Sequence, residues 1–358
     1  MGPITQITMA LLICSVVLVG SNFLQIQNND HETNKSVVDG DVQILTILTT
    51  YSKRSSYAKA NKEVVEERMD DHTPRVFIAS DKDDQDMDEM IDFKFGEARH
   101  HRLLASISEV SHRHKGEFDW IAIGDDDTVF MYNRAKSFLK HIDHTKPVAI
   151  GSIDGITKEG RAMSGAKCLT PSEKDSLSTQ CCRDFTSPCE VPAYPDLSDA
   201  LMDLKDPDYI HSHPMEWVNE YGLNGLFWPY GGAGTFLSSG LVEKIGESGW
   251  NVCTEVFGEG YDTDIQLAMC LRAHGLTMST YREGFDHSCR TSDPDSVRKH
   301  VSEKCQILGI HLGLRHLDNG GEFTVQSFKD AATAVNDEDK LYLERNCPEE
   351  LESISMWM

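Results

Sequence analysis

Apolar and polar positions along the chain fall into two alternating rhythms. Residues 42–50 (VQILTILTT) form a short, β-branched, nearly continuous apolar run that reads as a buried strand, and residues 55–69 behind it read as a helix. Residues 75–80 (RVFIAS) repeat the strand pattern and close on the acidic loop at 81–84. Leu103, Leu104, Ile107 and Val110 then recur at helical spacing within 98–114. A further short buried strand is expected at 119–124 (DWIAIG) and a helix at 133–142. Strands that alternate with helices predict an α/β fold with a mostly parallel central sheet covered on both faces.

The rhythm fades between 151 and 226, a stretch rich in Pro, Ser, Asp and Cys that reads as an elaborated loop region. It resumes at 240–245 and at 264–274, where a helix is expected. The last stretch, from 319 onward, is polar with scattered apolar residues and has no assigned element. No internal repeat is present.

The first 29 residues carry no charged side chain, and residues 4–26 are largely apolar. At about 1.5 Å per residue such a helix would span roughly 34 Å, enough for a bilayer core. The expectation is an uncleaved signal anchor at 1–27, with a signal peptide cleaved near Gly20-Ser21 as the competing reading. Both deliver the chain to the secretory lumen. Residues 28–41 follow as a polar stem, and Asn34-Lys35-Ser36 within it is an acceptor sequence for N-glycosylation. The remainder divides into a globular domain at 42–330, with a Cys-rich insertion at about 160–226, and a C-terminal tail at 331–358.

Composition changes this picture little. The 358 residues can bury a full core, and the acidic excess (58 Asp+Glu against 34 Lys+Arg) argues against a nucleic-acid partner. Nine cysteines lie beyond the anchor, and an oxidising compartment would pair most of them. Four of these, Cys168, Cys181, Cys182 and Cys189, lack a CxxC pair and a neighbouring histidine, so a disulfide-stapled loop is favoured over a zinc cluster.

Three segments carry candidate chemistry. In DWIAIGDDDTVF, Asp125, Asp126 and Asp127 follow directly on the end of a buried strand, where open α/β sheets bind ligands. Asp125 and Asp127 project the same way from an extended chain and could share one hard cation, which in turn could hold a diphosphate. The bland alternative is a solvated acidic loop. In WPYGGAGTFLSS, Gly231, Gly232, Ala233 and Gly234 would let the backbone approach a ligand, or simply form a tight turn. In GEGYDTDIQLAMCL, Asp262 or Asp264 could accept a proton from an acceptor hydroxyl, or only cap the helix that follows.

Taken in order, these segments resemble the Fringe-like β-1,3-glycosyltransferases, a family that includes core 1 galactosyltransferases. DWIAIGDDDTVF is similar to the family's W-(apolar)-x-x-DDDT segment, and GGAGTFLS to its GGAGYVLS. Thr263-Asp264 before Cys270, with Gly284-Phe285 beyond, stands where the family has an acidic pair, although Thr263 replaces the first acid. The resemblance runs from about Val42 to His316.

It implies a GT-A nucleotide-sugar fold, a UDP-sugar donor, and manganese at Asp125 and Asp127. It implies inversion by single displacement with Asp264 as base, and Asp262 as the fallback. Thr49 and Arg54, at and just past the first strand, fall where such folds hold the nucleotide together with Asp126 and the Gly231–Gly234 segment. The family's late metal histidine corresponds to the stretch GLRHLD, where Arg315 takes its place and His316 stands one residue on. His316 is the first candidate for the metal and His311 the second.

The expected activity is transfer of a hexose or N-acetylhexosamine to a glycan or glycoprotein hydroxyl, in β-1,3 linkage. The expected setting is the Golgi, in a single-pass type II protein. Two rival readings are an inactive lumenal sugar-nucleotide or glycan-binding protein on the same fold and a metal-dependent phosphohydrolase.

Overall fold

The computed structural model describes residues 41–51, 54–68, 75–80, 93–94, 102–156, 162–163, 227–229, 231–257, 263–276, 278–281, 284–287, 289, 291, 293–313 and 324–344. The expected anchor, the stem through residue 40 and the Asn34 acceptor lie outside these residues. So does the Cys-rich insertion, save for two residues. Among the described residues no helix is long and apolar enough to cross a membrane.

The protein is a mixed α/β structure. β1 (Ile44–Thr49) leads to α1 (Ser55–Arg68), β2 (Arg75–Ser80), β3 (Phe93–Lys94) and α2 (Arg102–Arg113). The chain then returns through β4 (Trp120–Asp125), β5 (Thr128–Phe130), α3 (Tyr132–Leu139) and β6 (Ala149–Gly151). β7 (Ile153–Ile156), β8 (Ala162–Met163) and β9 (Phe227–Pro229) form a small sheet of their own. A single 3-10 turn at Gly231–Ala233 precedes β10 (Thr235–Ser238). α4 (Ser239–Phe257), broken at Gly246 where φ is +69°, and α5 (Thr263–Ala273) come next. Beyond them lie β11 (Ser279–Thr280), β12 (Phe285–Asp286), α6 (Pro294–Ser302), β13 (Gly309–His311) and α7 (Val325–Lys340).

The main sheet has seven strands in the order β11-β6-β10-β4-β1-β2-β3. Every residue of β1 is buried, because alternate side chains serve two cores. Leu45 and Ile47 pack with Ile121, Ile123, Leu104 and Ile107 on the face covered by α2, α4 and α5. Ile44 and Leu48 pack with Trp120, Ala122, Tyr132 and Phe138 on the face covered by α3.

The sheet is mixed rather than mostly parallel, and the difference bears on the site. β1 pairs in parallel with β2 and β4, but β10 runs antiparallel to both β4 and β6. Thr235 pairs with Ile123, so the Gly231–Gly234 segment that feeds β10 lies at the edge where β4 ends. A parallel strand there would have carried that segment to the opposite edge. A buried four-residue run such as TFLS signals a strand but not its direction.

The C-terminal part also differs. α7 runs through the expected domain boundary at 330 and buries Phe328, Ala331, Ala332 and Val335 in a third core with Val64, Val301 and Ile310. Its N-terminus carries a reciprocal cap between Thr324 and Ser327. Four described cysteines stand beyond the insertion. Cys253 and Cys270 form a disulfide that ties α4 to α5, Cys305 is disulfide-bonded, and Cys289 is a buried thiol.

Candidate active site

The chain leaves β1 toward β2 on one side and leaves β4 toward β10 and β6 on the other. The crevice between the C-terminal ends of β1 and β4 is therefore a topological switch point, the place where open α/β sheets receive ligands. Thr49 and Asp125 are register partners there.

Each carboxylate of the triplet has its own partners. Thr49 Oγ1 donates to Asp125 Oδ1 at 3.1 Å, and Thr50 Oγ1 donates to Asp126 Oδ2 at 2.8 Å. Arg54 Nη2 reaches Asp126 Oδ1 at 2.5 Å and Asp127 Oδ2 at 2.9 Å. His311 Nε2 stands 3.3 Å from Asp127 Oδ1. That last contact follows from strand pairing, since β13 runs antiparallel to β5 with His311 opposite Thr128.

The backbone around the triplet is pinned. Asp125 N donates to Thr128 Oγ1 at 2.8 Å, and the same hydroxyl donates to Gly232 O at 2.8 Å. Asn61 on α1 donates to Thr128 O at 2.6 Å, and Arg102 at the start of α2 donates to Thr50 O at 2.6 Å. The glycines are sterically required. A Cβ on Gly232 would meet the His311 ring at 2.9 Å, and one on Gly234, whose φ is +97°, would meet Phe130 at 2.5 Å.

Asp264 joins the same group from the far side of the glycine turn. Gly231 N points at Asp264 Oδ2 over 3.4 Å, while Ile265 N donates to Asp264 Oδ1 at 2.8 Å. One oxygen serves the first turn of α5 and the other faces the glycine turn.

Electrostatics set the triplet apart from a solvated acidic loop. Burial, then the neighbouring charge of Asp127, holds Asp125 above the usual carboxylate range. Burial pushes Asp126 up to about 7 against the pull of Arg54, with Asp127 and Asp125 adding to the rise. Burial opposes ionisation of Asp127 too, yet His311 and Arg54 carry it below the ordinary range. Burial would lower His311, but Asp127 overrides it and the imidazole is raised. Three carboxyls in a water-poor crevice thus face the guanidinium of Arg54 and the imidazole of His311, with the charge of Arg102 also acting on Asp125.

The chemistry of these side chains suits a divalent cation, although among the described residues the ligand atoms of Asp125, Asp127 and His311 are not gathered within 4.8 Å of one another. Two carboxylates and an imidazole suit a hard to borderline ion such as manganese or magnesium. Asp125, Asp127 and His311 are the residues that would hold it. Asp262 and His316 lie outside the described residues, so the imidazole among them comes from the second candidate, His311. Thr50, Asn61 and Arg102 carried no sequence signal, being single polar residues in a loop and in helices.

Two other clusters resemble sites and are not. Cys253, Cys270 and His274 lie close enough for a metal, but the two sulfurs are bonded to each other, which leaves no thiolate. Asp119, His144 and Ser239 form an acid–imidazole–hydroxyl chain at the opposite edge of the sheet, with contacts of 3.2 and 2.9 Å. Its adjacent amides are spent: Ser239 N donates to Asp119 O and Gly240 N to His144 O. Among the described residues neither of these amides is free for an oxyanion, and the cluster staples β4 and β10 to the turn at His144.

No family model matches the sequence, and no curated protein matches it. Among solved structures, the fold is similar to WbbM, a bifunctional glycosyltransferase in its apo structure, with TM-score 0.38, 9% identity and coverage of 86% of this chain. The match covers 52% of WbbM, so the chain spans about half of that protein's length. It is also similar to the galactosyltransferase LgtC in complex with donor and acceptor sugar analogs, with TM-score 0.31, 12% identity and coverage of 80% of this chain and 94% of that one. These likenesses are too slight to bear on function, which rests on the side chains of the crevice.

Proposed function

We propose that this protein is an inverting, UDP-sugar-dependent glycosyltransferase that moves a hexose or N-acetylhexosamine to a glycan or glycoprotein hydroxyl, in β-1,3 linkage, with a divalent metal such as Mn²⁺. The observation that supports it best is convergence at one switch point. The Asp125–Asp127 triplet, His311, the glycine turn and Asp264 come from four separate parts of the chain and meet at the end of β4.

The residues divide the work. Asp125, Asp127 and His311 would hold the cation, whose chemistry when bound is to neutralise the diphosphate as it leaves. Arg54 and Thr49 border the crevice on the β1 side, where a nucleotide would lie. The Gly231–Gly234 turn would bring its backbone to the donor between His311, packed on Gly232, and Asp264, beside Gly231. Asp264 Oδ2 would take the proton from the acceptor hydroxyl as that oxygen attacks the anomeric carbon. Such single displacement inverts the configuration.

A phosphohydrolase would use the triplet but has no part for the glycine turn or Asp264. Thr263 and Arg315 favour an inactive binding protein. His311 weakens that reading, because it supplies an imidazole beside Asp127 from another strand. The uncharged, apolar N-terminus supports a membrane anchor or signal peptide, and placement in the Golgi as a type II membrane protein rests on the family resemblance.

The test is transfer assayed with the full chain over a panel of UDP-sugars, with Mn²⁺ and with chelator. Metal-dependent release of UDP with at least one donor and a glycan acceptor is the expected result. Absence of both UDP binding and turnover with every donor would refute the proposal.

A further inference from the structure

Arg54 is the one side chain that touches two of the three carboxylates at once among the described residues. It sits just past β1 in a turn closed by its own amide, which donates to Tyr51 O at 2.7 Å. The side chain is only 12% exposed, and its guanidinium lies 5.8 Å from the ring of Tyr51 and 5.9 Å from that of Tyr57. It is placed as the resident counter-cation of Asp126 and Asp127.

That placement has a consequence for any second cation. A divalent ion arriving at Asp127 and His311 would stand beside a guanidinium already bound to the same carboxylate, with little water between to screen the two. A nucleoside diphosphate changes the balance. Its phosphate oxygens match the fork of a guanidinium, so Arg54 can turn from Asp127 to the diphosphate without losing a charged partner.

We propose that Arg54 couples the two ligands: it suppresses cation binding in the empty site and releases the site when a nucleoside diphosphate enters. The proposal rests on the glycosyltransferase reading above and adds to it an order of assembly. Coupling of this kind is reciprocal, so the cation must strengthen diphosphate binding by the same factor.

The experiment is titration of the full chain with Mn²⁺, followed by the electron-paramagnetic signal of the free ion, with and without saturating UDP. Wild type should bind Mn²⁺ weakly alone and about tenfold or more tightly with UDP, within the usual range of coupling. Arg54→Met should bind Mn²⁺ alone roughly tenfold more tightly than wild type, and UDP should add little. Arg54→Lys keeps the charge without the two-carboxylate reach and should fall between, which covers the case of a poorly folded Met variant. Unchanged or weaker Mn²⁺ binding in Arg54→Met, or a UDP enhancement that survives in it, would overturn the coupling while leaving the glycosyltransferase reading intact. If wild type binds neither Mn²⁺ nor UDP, both fail together.

Discussion

Gly232 and His311 are in mutual contact to the point that no side chain fits between them: a Cβ on Gly232 would stand 2.9 Å from three atoms of the imidazole ring. The same ring faces Asp127 Oδ1 at 3.3 Å. Gly232→Ala should therefore push the ring off Asp127 while leaving the core alone. The expected outcome is Mn²⁺ affinity in the presence of UDP reduced roughly tenfold, comparable to losing support for a metal ligand. Isothermal titration checks it, and an unchanged affinity would remove His311 from the metal set.

Gly234 answers a different constraint. Its φ is +97°, and a Cβ added there would stand 2.5 Å from the Phe130 ring, which leaves no room for alanine. Phe130 cannot yield, because it is buried among Phe236 and Tyr132. Gly234→Ala should cost about 3 kcal/mol of stability through backbone strain and overpacking together. Urea unfolding would measure this, and a loss well under about 1 kcal/mol would show that the turn has another accessible form.

These two glycines show where sequence reading succeeds and where it stops. The triplet is legible because its residues are consecutive and follow a run of buried apolar residues. The glycine turn is legible as a segment, but not its position beside the triplet, which depends on the reversed direction of β10. His311 cannot be preferred over His316 from spacing alone. Its place is set by the pairing of β13 with β5, which are far apart in the chain. α7 goes unassigned because its buried stripe is built largely from alanine and even includes Asn336 and Asp339, which mask the helical period.

Asp339 is buried for a structural reason that pH should reveal. Its carboxylate accepts from Asn133 N at 2.8 Å and Arg134 N at 3.2 Å, and it lies 3.7 Å from Arg134 Nε. Burial nevertheless raises it from 3.8 to about 6. Between those values the folded protein keeps a proton that the unfolded chain has released, so rising pH favours unfolding there. Relative to Asp339→Asn, wild type should lose up to roughly 3 kcal/mol between about pH 4 and pH 6, then stay level. Denaturation of both proteins across that range tests it; a difference that grows with pH in wild type's favour would contradict the assignment.

The remaining prediction separates the carboxylates that would hold metal from the one that would move a proton. Asp127→Ala removes the partner shared by His311 and Arg54, so donor binding and turnover should fall together. Asp264→Asn is subtler. An amide oxygen can still accept from Ile265 N, as Asp264 Oδ1 does at 2.8 Å, so the start of α5 should hold. What the amide cannot do is take a proton at the position of Oδ2, which faces Gly231 N at 3.4 Å. Turnover should therefore drop by about 10²-fold or more with UDP and Mn²⁺ affinity unchanged, the signature of an interaction made in the transition state. If Asp264 only caps its helix, Asn serves as well and turnover stays near wild type. In that event the base must be sought at Asp262, and Asp262→Asn, measured in parallel, would carry the loss instead.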